Sequence, residues 1–234
     1  MARKKRKQIF NLQSRSLVSM NNPKSMIAEQ YRTIRTNIEF ASIDCEIKTI
    51  VITSAEPGDG KSTTAANLAI VFAQQGKRVL LIDSDLRKPT AHYTFKVDNK
   101  VGLTNVLTKQ YAFSEAITIT GDSKLYLLPS GPIPPNPSEM LGSEGMKNLL
   151  EEAKEQFDVI LLETPPILAV TDAQVLSNLA EGAIFVVNSG KTEVDKAKKA
   201  KELLVNTKVK LLGAVLNNKK QKDNQYYYGG KQLS

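Results

Sequence analysis

The chain has 234 residues, 41% hydrophobic and 24% charged, enough for one compact domain with a buried core. These values exclude a disordered, collagen-like or coiled-coil chain, and no apolar run approaches the roughly 18–20 residues of a membrane span. The formal charge of +8 is concentrated at the start, where Arg3, Lys4, Lys5, Arg6 and Lys7 carry most of the excess.

That basic arm is either a solvated tail or a contact for an anionic surface such as phospholipid headgroups. No zinc-finger spacing, aromatic-rich RNA-binding motif or helix-turn-helix accompanies it, which argues against a nucleic-acid partner. No apolar stretch with a cleavage site follows it, so it does not read as a secretory signal. The lone Cys45 cannot form an internal disulfide and is expected to be a small structural or surface residue. This fits a reducing compartment, the cytoplasm.

Residues 1–25 read as a tail and approach segment, 26–218 as the folded domain and 219–234 as a flexible tail. A helical period opens the domain, with Ile27, Tyr31, Ile34, Ile38 and Ala41 on one face. Short apolar runs at 48–54, 78–85, 124–131, 158–166, 182–190 and 209–218 read as strands. Helical stretches lie between them at 62–76, 102–109, 144–157, 171–180 and 194–207. Strands apolar throughout, alternating with helices, predict an α/β fold: a doubly wound, mostly parallel sheet with helices on both faces.

The sharpest local signal is SAEPGDGKSTT, residues 54–64, between a predicted strand and a predicted helix. In that context Gly58, Asp59 and Gly60 form a loop whose N–H groups face a phosphate, and the helix beginning near Lys61 adds its positive end. Lys61 would reach the β- and γ-phosphates of ATP, Thr63 would lie beside them, and the Ser62 hydroxyl would ligate Mg²⁺. Ala55 stands where the usual pattern opens with glycine. Asp83 and Asp85 end the next strand, and two residues apart on an extended strand they share a side. They would stand near the γ-phosphate and metal, with Glu163 closing the strand VILLE as a third acid. Such a set suits hydrolysis of, or phosphoryl transfer from, a nucleoside triphosphate.

With these motifs the chain resembles the bacterial protein-tyrosine kinases of capsule and exopolysaccharide chain-length control, P-loop ATPases unrelated in fold to eukaryotic kinases. AEPGDGKST matches their Walker A motif, VLLIDSDLRKP their second motif and VILLETPP their Walker B, where Glu163 replaces the usual aspartate. EQYRTIR matches the oligomerisation motif through Glu29, Arg32 and Arg35, and SGPIPPNPSEML the family's linking segment. The resemblance implies Asp83 as base toward a tyrosine hydroxyl, Asp85 and Glu163 at the metal, and phosphorylation in trans of a tyrosine cluster, here Tyr226, Tyr227 and Tyr228. It also implies a homo-oligomeric ring, an octamer in the family's pattern, further protein-tyrosine substrates, and a membrane-spanning activator that holds the enzyme at the inner face of the membrane. Partitioning-type positional ATPases are the alternative, as is a nucleotide-binding scaffold with residual activity; the former carry a second lysine where this chain has Glu56. The Glu29, Arg32 and Arg35 side chains are also spaced to pair along their own helix, and His92 is expected to be an ordinary polar loop residue.

Overall fold

The computed structural model describes residues 16–41 and 46–220. Helices α1 (Val18–Asn21) and α2 (Met26–Ala41) precede β1 (Thr49–Ser54), α3 (Lys61–Gln74) and β2 (Val79–Asp83). Three short helices follow, α4 (Ala91–Phe95), α5 (Leu103–Leu107) and α6 (Phe113–Ala116), then β3 (Thr118–Thr120) and β4 (Asp122–Leu128). The chain continues through α7 (Pro137–Leu141), α8 (Glu144–Gln156), β5 (Val159–Glu163), α9 (Asp172–Ser177), β6 (Gly182–Asn188), α10 (Val194–Val205) and β7 (Lys210–Asn217).

The strands form one sheet in the order β3-β4-β2-β5-β1-β6-β7, parallel except for the β3–β4 pair. The sheet is buried on both faces because successive residues point to opposite sides. Ile50 and Ile52 pack with Leu81, Leu161 and Ile184 beneath α2 and α3. Val51 packs with Leu80, Ile82, Ile160 and Leu162 in the core on the opposite face, which includes Met146 and Leu150 of α8. The predicted parallel α/β sheet is observed. The antiparallel edge strand β3 was not predicted, since three residues are too few to show a period.

Helix α3 is apolar on nearly every side, and Leu68, Ala69, Val71 and Phe72 are all buried. It is sandwiched between the sheet and the N-terminal helices. There the Ser19 N–H donates to Asn67 Oδ1 at 2.9 Å, and Gln74 Nε2 donates to the Ser19 carbonyl at 2.9 Å. Leu17 and Ser19 are buried, so packing begins ahead of residue 26. On α2 the inward stripe is Ala28, Tyr31 and Ile38; Ile27, expected in that stripe, is 53% exposed.

Candidate active site

Central strand β1 has β5 on one side and β6 on the other, and the site is built at the carboxyl ends of these strands, as in other open α/β sheets. The loop from β1 to α3 turns tightly, with Gly58 at φ +86° and Gly60 at φ +101°. A side chain at Gly60 would also have no room, because its Cβ would lie 1.8 Å from Asn217 Nδ2. Neighbouring loops brace this turn. Asn217 Nδ2 donates to the Asp59 carbonyl at 2.9 Å, and Asn188 Nδ2 to the Gly58 carbonyl at 3.2 Å. The Asp59 carboxylate faces into the loop, accepting from the Glu56 N–H and the Thr192 hydroxyl, each at 2.9 Å. What Asp59 offers a phosphate is therefore its backbone. Glu56 is held by Lys196 at 2.8 Å.

Helix α3 starts at Lys61, so the first-turn N–H groups of Lys61, Ser62 and Thr63 point out of its positive end toward the cavity. Lys61 Nζ lies 2.6 Å from Glu163 Oε1 and 3.3 Å from Asp85 Oδ2, and the Ser62 hydroxyl donates to the same Glu163 oxygen at 2.8 Å. Burial alone would push the Lys61 ammonium down, but Glu163 and Asp85 outweigh it and hold it above its ordinary value.

The sequence placed Asp83 and Asp85 together on one strand, but β2 ends at Asp83 and the two diverge. The Ser84 N–H donates to the Glu163 carbonyl at 2.8 Å, after which the chain leaves the sheet. Asp85 turns to Lys61 and accepts from the Lys88 N–H at 3.0 Å. Asp83 is fully buried, and its Oδ2 accepts from the N–H groups of Thr90 and Ala91 at 3.1 and 2.9 Å, while Oδ1 is buried without a hydrogen-bond partner. Burial pushes the Asp83 carboxyl well above the usual carboxylate range; the charges of Glu163 and Asp85 add to this, against the Ala91 N–H and Lys61.

A cavity of about 1120 Å³ opens beside Lys61 and Asp85, running from Asn217 and Asn218 past Gly58 and Gly60–Thr63 to His92, Tyr93 and Ile133. Arg87 lines it and is tied down by Asp172, with Nε to Oδ2 at 2.9 Å and Nη2 to Oδ1 at 3.0 Å. The Ser138 hydroxyl bonds both residues. His92 was expected to be an unremarkable loop residue, but its ring walls the cavity and burial pushes its pKa down.

A triphosphate and Mg²⁺ suit these residues. The loop is shaped to take phosphate, a buried carboxylate oxygen of Asp83 lacks a partner, and Ser62, Asp85 and Glu163 offer hard oxygen atoms of the kind magnesium prefers. Among the described residues no three His, Cys, Asp or Glu side chains form a metal cage by themselves. Magnesium typically keeps waters and phosphate oxygens in its shell, so two carboxylates and a hydroxyl suffice.

The residues of the oligomerisation motif make contacts within their own chain. Arg32 pairs with Glu29 at 2.6 Å and donates to the Pro23 carbonyl at 2.6 Å, and Arg35 Nη1 donates to the Val71 carbonyl of α3 at 2.8 Å. The basic arm Arg3–Lys7, Cys45 and the acceptors Tyr226, Tyr227 and Tyr228 lie outside the described residues. Asn188, Thr192, Asn217 and Arg87 were not predicted as part of the site. Among the described residues no helix is long and apolar enough to cross a membrane.

A glycine-turned loop on a helix N-terminus, with acids ending the adjacent strands β5 and β2, defines a P-loop nucleotide-binding protein on a doubly wound sheet. A family model described as an AAA domain matches residues 47–192. Tyrosine-protein kinase YwqD of Bacillus subtilis is 58% identical over 219 residues, covering 93% of this chain and 92% of that protein. The crystal structure of the chimerical protein CapA2B2 superposes with a TM-score of 0.85 at 43% identity, covering 89% of this chain and 93% of that one. The septum site-determining protein MinD of Pyrococcus horikoshii, solved with Mg-ADP, is more distant: TM-score 0.63 and 26% identity, covering 72% of this chain and 69% of that one. The chain belongs to the bacterial tyrosine-protein kinases.

Proposed function

We propose that the protein transfers the γ-phosphoryl group of ATP to tyrosine hydroxyls, first those of Tyr226, Tyr227 and Tyr228 in a neighbouring subunit, and so regulates polysaccharide synthesis and export. The observation that carries this reading is the grouping of Lys61, Asp85 and Glu163 at the phosphate loop, with the buried Asp83 beside them. Lys61 exchanges its carboxylate partners for the β- and γ-phosphate oxygens and offsets charge as it shifts toward the leaving group. Asp83 accepts the phenol proton while the tyrosine oxygen bonds phosphorus and the bond to the bridging oxygen of ADP breaks. A carboxyl raised above the ordinary range is the better proton acceptor. Ser62, Asp85 and Glu163 would hold magnesium, which when bound would supply neutralising charge to the phosphates.

Assembly through Glu29, Arg32 and Arg35, anchoring by a membrane-spanning activator and contact of Arg3–Lys7 with anionic lipid complete the reading, and each rests on the motifs in the sequence. The positional-ATPase alternative is disfavoured at Glu56, an acid paired with Lys196 where those relatives carry a lysine. Incubation with labelled ATP and phosphotyrosine detection tests the function. The protein should label its tail, Lys61→Met should not, and ATP hydrolysis without phosphotyrosine would refute the kinase assignment.

A further inference from the structure

Two of the groups that the phosphate loop offers a nucleotide are held by a single atom. Glu163 Oε1 accepts from Lys61 Nζ at 2.6 Å and from the Ser62 hydroxyl at 2.8 Å. The Lys61 and Glu163 side chains are 11% and 3% exposed, so water screens this pair little. Asp85 Oδ2, at 3.3 Å, is the more distant partner of Lys61. Glutamate stands where the family carries aspartate, and its longer side chain spans to both groups from the end of β5.

The carboxylate has little freedom to leave these partners. Its backbone is fixed by the sheet: Glu163 stands in register with Ile52 and Asp83, and its carbonyl accepts from the Ser84 N–H at 2.8 Å. Only side-chain rotation can part it from Lys61. A cavity of about 10 Å³ adjoins Glu163 and Ser62, room for one water, and Ala65, Ala66, Leu81, Ala91 and Phe95 make most of its wall. A carboxylate turned that way exchanges a cation for apolar neighbours, which is unfavourable. Turned toward β2, it meets the acid of Asp83. A phosphate on the loop competes directly for Lys61, and once it takes the ammonium, Glu163 is left buried and facing a second anion. A divalent cation arriving with the phosphates reverses this balance, because Glu163 and the Ser62 oxygen then share a positive partner in place of Lys61.

We propose that Glu163 gates the phosphate loop: it withholds Lys61 and Ser62 from a nucleotide without metal and yields both to a magnesium–nucleotide complex. This rests on the nucleotide-site part of the kinase reading above. The consequence is a linkage. Magnesium strengthens nucleotide binding by a factor set at Glu163, and nucleotide strengthens magnesium binding by the same factor. The gate discriminates between two forms of one ligand by leaving a buried charge unpaired with the wrong form. A residue that only held the metal would behave differently: its removal would weaken binding with magnesium and leave binding without it unchanged.

The test measures the Kd of a fluorescent ADP analogue for the full chain, in magnesium chloride and again in EDTA. ADP carries no γ-phosphoryl group, so binding is read without turnover. The original chain should bind at least about tenfold more weakly in EDTA. Glu163→Gln keeps the size of the side chain and removes its charge. It should bind in EDTA about tenfold more tightly than the original chain and lose most of the magnesium dependence. Asp85→Asn removes an equal charge but leaves the 2.6 Å pair in place, so its gain in EDTA should be smaller. Circular dichroism checks the fold of each variant, with Glu163→Ala as the substitute if the glutamine variant does not fold. A folded Glu163 variant that binds no more tightly in EDTA overturns the gate, and so does an Asp85→Asn protein that gains as much. Equal affinity of the original chain in both solutions also overturns it while leaving the nucleotide site standing. Binding in neither solution removes the nucleotide site and the gate with it. Phosphotyrosine formation from labelled ATP judges the kinase reading separately.

Discussion

Replacing Gly60 by alanine tests whether the phosphate loop is held in shape by the far strand of the sheet. Two costs can be separated. The backbone at φ +101° is outside the region that side chains tolerate, worth about 1–3 kcal/mol. The new Cβ would also sit 1.8 Å from Asn217 Nδ2 and 2.9 Å from its Cγ, forcing that side chain to swing away. Its 2.9 Å hydrogen bond to the Asp59 carbonyl is then lost, for about another 0.5–1.5 kcal/mol. Gly60→Ala should therefore cost about 2–4 kcal/mol and weaken nucleotide binding. Asn217→Ala alone loses the hydrogen bond but makes room. In the double variant the glycine substitution costs only backbone strain, so the pair should be less destabilising than the two singles added, by about 1 kcal/mol. The chain contains no tryptophan, so denaturation is best followed by circular dichroism. Additive effects in this cycle, or a Gly60→Ala protein as stable as the original, would refute the brace.

Other substitutions probe the remaining contacts. Glu163→Asp shortens the carboxylate that holds both Lys61 and Ser62, so phosphotyrosine formation should fall at least about tenfold, as for a misplaced catalytic contact. An increase in labelling would show that glutamate is the poorer residue here. Arg87→Ala leaves the buried Asp172 without its bidentate partner and should destabilise by about 1–3 kcal/mol, with lysine a partial substitute; denaturant midpoints read this directly. Burial pushes the Glu181 carboxyl up, but the Thr49 N–H, Lys154 and the Lys48 N–H outweigh it and hold it below its ordinary value. A carboxyl lowered by folding stabilises above its unfolded pKa and ceases to as pH falls through the folded value. The stability advantage over Glu181→Gln, about 1 kcal/mol at pH 7, should thus shrink as pH falls below the ordinary glutamate range and through the lowered folded value.

The fold was legible in the sequence because each inner strand is apolar throughout and each long helix is bounded by a turn, so neither period is ambiguous. The phosphate loop was legible because its chemistry is local: Gly58, Gly60, Lys61 and Ser62 act within five residues of one another. What was missed depends on distance. Asn217 braces the loop from 158 residues away and Thr192 from 133, and no spacing rule connects them. The divergence of Asp83 and Asp85 was hidden for a related reason: a strand's last residue is set by its neighbour, here through the Ser84 N–H on the Glu163 carbonyl. On α2, Ile27 stood in for Ala28 because hydrophobicity scores favour the larger residue, whereas the packed face is fixed by the phase of Tyr31 and Ile38.

The sheet register itself sets the electrostatics of the site. Asp83 and Glu163 are register partners on adjacent parallel strands, and Glu163 is in turn partnered by Ile52 of β1. Neighbouring strands lie about 4.8 Å apart, so two carboxyl groups are held side by side with little water between them. That proximity contributes to the raised Asp83 carboxyl, and Lys61 offsets part of the repulsion. A slip of one residue would turn Leu162 toward the phosphates, and with it every core residue of β5 to the wrong face. The apolar packing on both faces of the sheet therefore holds the charged groups of the site in their relative positions. A core substitution in β5 that loosens this register, such as Leu161→Ala, should lower phosphotyrosine formation more than its loss of stability alone predicts.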